Sequence, residues 1–141
     1  MEHSNIAINI KLAGDLIEKK ANSKLVRYNI TLSQARILLA LFQSKADSIS
    51  LKALEKLFSV SQATMQGTIS RLAKKGLVNV QFLAADKKTK YVSLTSAGEF
   101  LADSLGKHIE EINCYLTQSL SDAEISQLNI ILAKICKSLN D

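Results

Sequence analysis

The sequence predicts a mainly α-helical fold that carries one small β-hairpin. Three observations lead there. Proline is absent from all 141 residues, so nothing forces the backbone out of long helices. Apolar residues recur in steps of three and four along much of the chain, the spacing of one helix face. Between Val78 and Leu94 the spacing drops to two, which is strand spacing.

Taken in order, Ile6, Ile10, Ala13 and Ile17 form one stripe of a first helix, and a loop is expected around Asn22 to Asn29. Thr31 and Gln34 make a capping box for a second helix. That helix is apolar nearly all round (Ala35, Ile37, Leu38, Leu39, Ala40, Leu41, Phe42), so it should lie at the centre of the fold. A polar break follows at Ser44 to Ser48. Ser50 can cap a short helix bearing Leu51, Leu54, Leu57 and Phe58. Ser59 and Val60 form a tight turn, and Ser61 caps a helix running to Lys75, with Gly76 placed for a left-handed cap.

Val78, Val80 and Phe82 then alternate with Asn79 and Gln81 as a half-buried strand, and Val92 and Leu94 return as its partner. The segment 84–89 between them is a polar, basic tip. Ser96 and Glu99 form another capping box, with Thr95 as the alternative cap, and open a long helix over 96–118. Its stripe is Leu101, Leu105, Ile109 (or His108), Ile112 and Leu116. Ser121 and Glu124 cap the last helix, with Leu120 and Ile125 placed for a hydrophobic staple. Its seam, Ile125, Leu128, Leu132, Ile135 and Leu139, suits packing along another helix.

A short helix, a brief turn and a longer helix make a helix-turn-helix, and a hairpin directly after it makes a wing. The expected architecture is therefore a winged helix-turn-helix with long N- and C-terminal helices, and residues 50–95 are its reading unit. Charge agrees with this placement. Residues 31–95 hold ten basic and three acidic groups, net +7, whereas residues 96–141 are net −4. Attraction to a polyanion is confined to the middle block.

On the helix 61–75, Met65, Ile69 and Leu72 share the inward side. The outward side shows Ala63, Gln66, Gly67, Ser70 and Lys74, with Arg71 at its flank and Gln62 near its start. Such a surface can enter a major groove about 12 Å wide, where a glutamine amide pairs with an adenine edge. Gln62 and Gln66 are the candidates for bases; Ser61, Thr64 and Thr68 suit phosphate or sugar. Arg71, Lys74 and Lys75 can grip the flanking backbone, although Lys75 equally suits a plain role opposing the helix dipole. In the wing, Asp86, Lys87, Lys88 and Lys90 form the candidate contact, the lysines for phosphates or a narrow minor groove.

These residues carry a family resemblance. The run from Val60-Ser61-Gln62-Ala63-Thr64-Met65 through Ile69-Ser70-Arg71-Leu72 to Lys74-Lys75-Gly76-Leu77-Val78 resembles the recognition segment of the MarR family of regulators. Asp86-Lys87-Lys88, then Val92-Ser93-Leu94-Thr95 and Gly98, resembles that family's wing and wing-to-helix signature.

The resemblance implies a single domain over 1–141, with dimerisation helices at 1–30 and 96–141 and a DNA-binding lobe at 31–95. It also implies a homodimer joined through faces such as Ile6, Ile10, Ile17, Ile125, Leu128, Leu132, Ile135 and Leu139. That dimer would bind double-stranded DNA at a pseudo-palindromic operator as a transcriptional regulator, in the first instance a repressor. A small-molecule effector held between the long helix 96–118 and the lobe would modulate it. Two residues depart from the family pattern: Lys88 stands where an arginine is common, and Gly67 where a larger polar or basic residue is usual.

Other classes fit less well. The longest purely apolar run, Ile37 to Phe42, falls far short of the roughly 18 residues a membrane span needs. The N-terminus shows no secretory pattern and the two cysteines form no C-x-x-C, so a cytoplasmic protein is expected. No nucleotide-binding, hydrolase or zinc-protease motif is present, so no enzyme, cofactor or metal is expected. Two alternatives stay open. One is a winged-helix module that binds protein and not DNA. The other is a redox or metal sensor using His108, Glu111 and Cys114 or Cys136, set against the plain reading of a half-buried histidine and core or interface cysteines.

Overall fold

A computed structural model of the chain describes residues 5–83 and 85–140. Helix α1 spans Ile6–Leu25, and the Asn5 side chain caps it by accepting the Ile8 N–H at 3.0 Å. It runs through the first half of the region expected to be a loop, as far as Leu25. Ala21 and Leu25 are wholly buried, and that burial holds the last turn in helix despite the polar Asn22 and Ser23. A single 3-10 turn, Val26–Tyr28, ends in Asn29 at φ 55°, the left-handed region that asparagine tolerates. The Asn22 side chain accepts the Leu32 N–H at 2.8 Å, which sets the entry into the next helix.

Helix α2, Leu32–Gln43, begins with both bonds of the expected Thr31–Gln34 capping box. Gln34, Ala35, Ile37, Leu38 and Leu41 are buried, so the central placement is as expected. A two-residue strand β1, Ile49–Ser50, comes next; the sequence pattern gave no sign of it. Helix α3, Leu51–Phe58, is capped by Ser50, whose Oγ accepts the Ala53 N–H at 3.1 Å. Ser59 turns the chain at φ 52°, and α4, Gln62–Lys74, follows with Ser61 as its cap.

Strands β2, Val78–Leu83, and β3, Asp86–Leu94, form the hairpin, and β1 adds to it in the antiparallel order β1-β3-β2. Ile49 pairs with Val92 and Ser50 with Tyr91. Helix α5, Ser96–Thr117, takes Thr95 and not Ser96 as its capping residue: the Thr95 hydroxyl accepts the Gly98 N–H at 3.0 Å and donates to the Gly76 carbonyl at 2.7 Å. Helix α6 spans Asp122–Asn140. None of these helices is long and apolar enough to cross a membrane.

The chain divides into two units, Met1–His108 and Ile109–Asp141. The first unit has one core, in which Leu25, Leu38, Leu54, Met65, Leu72, Val92 and Leu105 are the largest fully buried side chains. Each such side chain contributes about 1.5–3 kcal/mol through burial. The unit reaches past residue 95 because Ala102 and Leu105 of α5 belong to that core. In the second unit, Ser121 and Glu124 form the expected reciprocal cap. Ser121 donates its N–H to Glu124 Oε1 at 2.9 Å, and Glu124 donates its own to Ser121 Oγ at 3.2 Å. No residue of α6 is buried within the chain.

Candidate nucleic-acid interface

Helix α4 is oriented by its inner face. Met65, Ile69 and Leu72 are buried, as their spacing predicts. Its N-terminus is fixed by Ser61, whose Oγ accepts the Thr64 N–H at 3.2 Å and donates to Thr64 Oγ1 at 2.9 Å. Thr68 donates its hydroxyl to the Thr64 carbonyl at 3.0 Å. The three hydroxyls nominated for phosphate contacts thus first serve the helix itself. Ser61 spends its proton on Thr64, which leaves the Thr64 hydroxyl hydrogen available to an outside acceptor.

The C-terminal end of α4 is tied down differently. Lys75 donates to the Asn29 carbonyl and, at 3.1 Å, to Gln34 Oε1. Its ammonium therefore faces the α1–α2 junction. Gly76 adopts φ 74°, the left-handed cap its position predicts.

Outside this frame, Gln62, Ala63, Gln66, Ser70, Arg71 and Lys74 are all exposed. Gln62 and Gln66 line a groove of about 420 Å³ with Leu51, Lys52 and Glu55 of α3 and Lys88, Thr89 and Lys90 of β3. The structure thus brings both glutamines and two wing lysines to one concave surface. Ala63, Gly67, Ser70, Arg71 and Lys74 lie along α4 without lining that groove, and Lys87 is exposed on the wing. Lys52 and Glu55 were missed from sequence. The signal was there: Leu51, Leu54 and Phe58 fix the inner face of α3 and leave residues 52 and 55 outside.

The wing differs from its sequence expectation in two ways. Val78 is buried, but Val80 and Phe82 are 40% and 50% exposed, so the strand leaves the core after its first residue. The basic segment 86–90 is also not a loop tip; it belongs to β3. Phe82 pairs with Lys90 and Leu83 with Asp86, so Lys87, Lys88 and Thr89 bulge out between consecutive partners of β2. Asp86 holds this bulge. Its Oδ1 accepts the N–H groups of Lys88 at 2.9 Å and Thr89 at 3.3 Å. These bonds, led by that of the Thr89 side chain, hold the Asp86 carboxyl below its ordinary range. Asp86 serves the wing's shape while the lysines face outward.

The sensor residues are placed elsewhere. His108 Nε2 lies 2.8 Å from both Arg27 Nη2 and Tyr28 Oη. A guanidinium only donates, so Nε2 acts as acceptor there. Cys114 and Cys136 are free thiols exposed in the single chain, so of the core or interface positions expected for them the core is excluded and an interface stays open. Among the described residues, no cluster of three histidine, cysteine, aspartate or glutamate side chains is arranged to hold a metal ion.

Residues 28–88 match the sequence model of the MarR family. The chain is 26% identical over 136 residues to the HTH-type transcriptional regulator FarR of Neisseria gonorrhoeae, covering 96% of this chain and 92% of that one. The S. aureus MepR–DNA complex is similar at a TM-score of 0.90 and 23% identity, over 95% of this chain and 98% of that chain. A putative MarR family regulator from Listeria monocytogenes, solved with 26mer DNA, is similar at a TM-score of 0.87 and 21% identity, over 99% and 90%. These structural likenesses establish the fold.

Proposed function

We propose that the chain, whose residues 28–88 match the MarR family model, is a member of that family and a DNA-binding transcriptional regulator that reads double-stranded DNA with α4 and the wing. The observation that carries this reading is the shared groove: Gln62 and Gln66, able to pair with base edges, face the same space as Lys88 and Lys90, able to neutralise phosphates. They sit in the block of net charge +7.

The regulator works as a homodimer on a pseudo-palindromic site. Within a single chain, α1 leaves Ile6, Ile10 and, on a second side, Ile8, Leu12 and Leu16 exposed. Ile17 is only half covered. Helix α6 leaves Leu128, Ile130, Ile131, Leu132 and Leu139 exposed, with Ile125 and Ile135 half-buried. Apolar surface on this scale marks an interaction site, and a second copy is the occupant that a two-fold operator calls for. In this reading residues 31–95 are the DNA-binding lobe, while 1–30 and 96–141 supply the dimer. Repression in the cytoplasm, relieved by a small-molecule effector, completes the proposal on the family resemblance.

A protein partner in place of DNA is the competing reading, and the exposed Val80, Phe82 and Leu83 of the wing favour it. Selection of bound fragments from genomic DNA, followed by titration at several salt concentrations, decides between them. DNA binding gives a two-fold symmetric site and an affinity that falls steeply with salt. Lys87→Ala with Lys88→Ala then weakens binding to every sequence and lowers the salt slope by about 2. Absent or salt-insensitive binding leaves the protein partner as the better reading.

A further inference from the structure

We infer that Gly67 is the seat of the Arg71 side chain, so that Arg71 delivers to the middle of α4 the DNA contact that residue 67 lacks. This rests on the DNA-binding reading above. Side chains on a helix lean toward its N-terminus, so residue 71 covers the turn beginning at residue 67. A Cβ built on Gly67 meets one neighbouring group within 4 Å, Nη1 of Arg71 at 3.7 Å. Gly14 and Gly106, also within helices, have nothing that close.

Among the described residues, nothing else asks for glycine at 67. Its φ is not in the left-handed region, and no backbone or core atom presses on it. A glycine inside a helix is otherwise unfavourable. The position gains something, however, from having no side chain. Between Gln66 and Ser70, on the outward face, it leaves room for a planar guanidinium to lie across the helix surface. Arg71 is exposed, and among the described residues no carboxylate is paired with it. Its five N–H donors suit a guanine edge or a phosphate, and a bidentate guanine contact carries sequence information. Gly67 is thus a positioning residue and Arg71 the contacting one.

The geometry also separates this from the other reason for a glycine, close approach of the DNA to the helix backbone. A methyl at 67 stands at ordinary van der Waals distance from Nη1, so Gly67→Ala leaves Arg71 in place. A longer side chain does not. The test uses the full-length protein and the selected DNA site, with Gly67→Ala, Gly67→Met, Arg71→Ala and the double variant Gly67→Met with Arg71→Ala. Thermal melts check that each is folded. Gly67→Ala should bind within about twofold of the parent. Gly67→Met and Arg71→Ala should each lose about tenfold and relax preference at the same base position. The double variant should bind no worse than Arg71→Ala alone. A tenfold loss in Gly67→Ala, losses that multiply in the double variant, or relaxed preference at two different positions would each overturn the inference. Failure of the parent to bind any DNA removes the DNA reading and this inference with it.

Discussion

The Lys75 ammonium donates to the buried Gln34 side chain at 3.1 Å, joining the last turn of α4 to the first turn of α2. Gln34 is the reciprocal member of the α2 capping box, so one amide serves both the start of the central helix and the end of the reading helix. Lys75→Met should therefore cost about 2 kcal/mol of stability in urea denaturation, as the loss of its charge-assisted bonds to Gln34 and to the Asn29 carbonyl. The salt slope of DNA binding should be unchanged. A slope reduced by about 1 would place Lys75 on a phosphate instead.

Asp86 supports a second expectation. Its carboxyl titrates below its ordinary value because the Thr89 side chain and the Lys88 and Thr89 N–H groups bond to it in the folded wing. A carboxyl lowered on folding contributes order that is present above its unfolded value and is lost as the pH falls through its folded value. The amide resonances of Lys88 and Thr89 should thus shift together, at a more acid pH than an ordinary aspartate would impose. Asp86→Ala should shift them already at neutral pH and weaken DNA binding at all sequences. Unchanged resonances in that variant would show that the bulge holds itself.

Local signals made much of this fold legible. The capping boxes at Thr31–Gln34 and Ser121–Glu124 are patterns within four consecutive residues, and both form. Three apolar residues set the inner face of α4, so its outer face follows by rotation. The features missed are those that only distant packing decides. Asn22 and Ser23 look like loop residues, yet burial of Ala21 and Leu25 keeps them helical. Strand β1 has two residues, too few to show a period, and exists because β3 pairs with it. The Lys75 tie spans 41 residues of sequence to Gln34, so nothing near Lys75 announces it. The bulge at 87–89 depends on the register across the hairpin, which composition does not encode.

The uncovered faces of α6 make the homodimer testable. Leu128 and Leu132 lie one turn apart, 45% and 38% exposed in the single chain. Sedimentation equilibrium of the parent should give the mass of two chains, and Leu128→Asp with Leu132→Asp should shift it toward one. Loss of bivalent contact should also reduce affinity for a two-fold site by about a hundredfold, with much less effect on a half-site. A parent that sediments as a single chain at micromolar concentration would remove the homodimer from the proposal.

Gly98 gives the sharpest prediction for stability. A Cβ there would stand 2.1 Å from the Leu77 carbonyl oxygen, far inside any real contact. That oxygen cannot move freely, because it accepts the Thr95 N–H at 3.1 Å and so helps close the wing onto α5. Thr95 in turn caps α5 and holds the Gly76 carbonyl, so the whole junction from α4 through β3 to α5 is packed against one missing methyl group. Gly98→Ala should cost about 3 kcal/mol, at the upper end of the usual cost of overpacking, and should be read by urea denaturation. Gly14→Ala is the control. It adds the same methyl inside α1 with no neighbour within 4 Å, and should stabilise the protein by up to about 1 kcal/mol through helix propensity alone. Equal effects of the two substitutions would mean that the Leu77–Thr95 contact yields easily, and that Gly98 is not what brings the wing and α5 together.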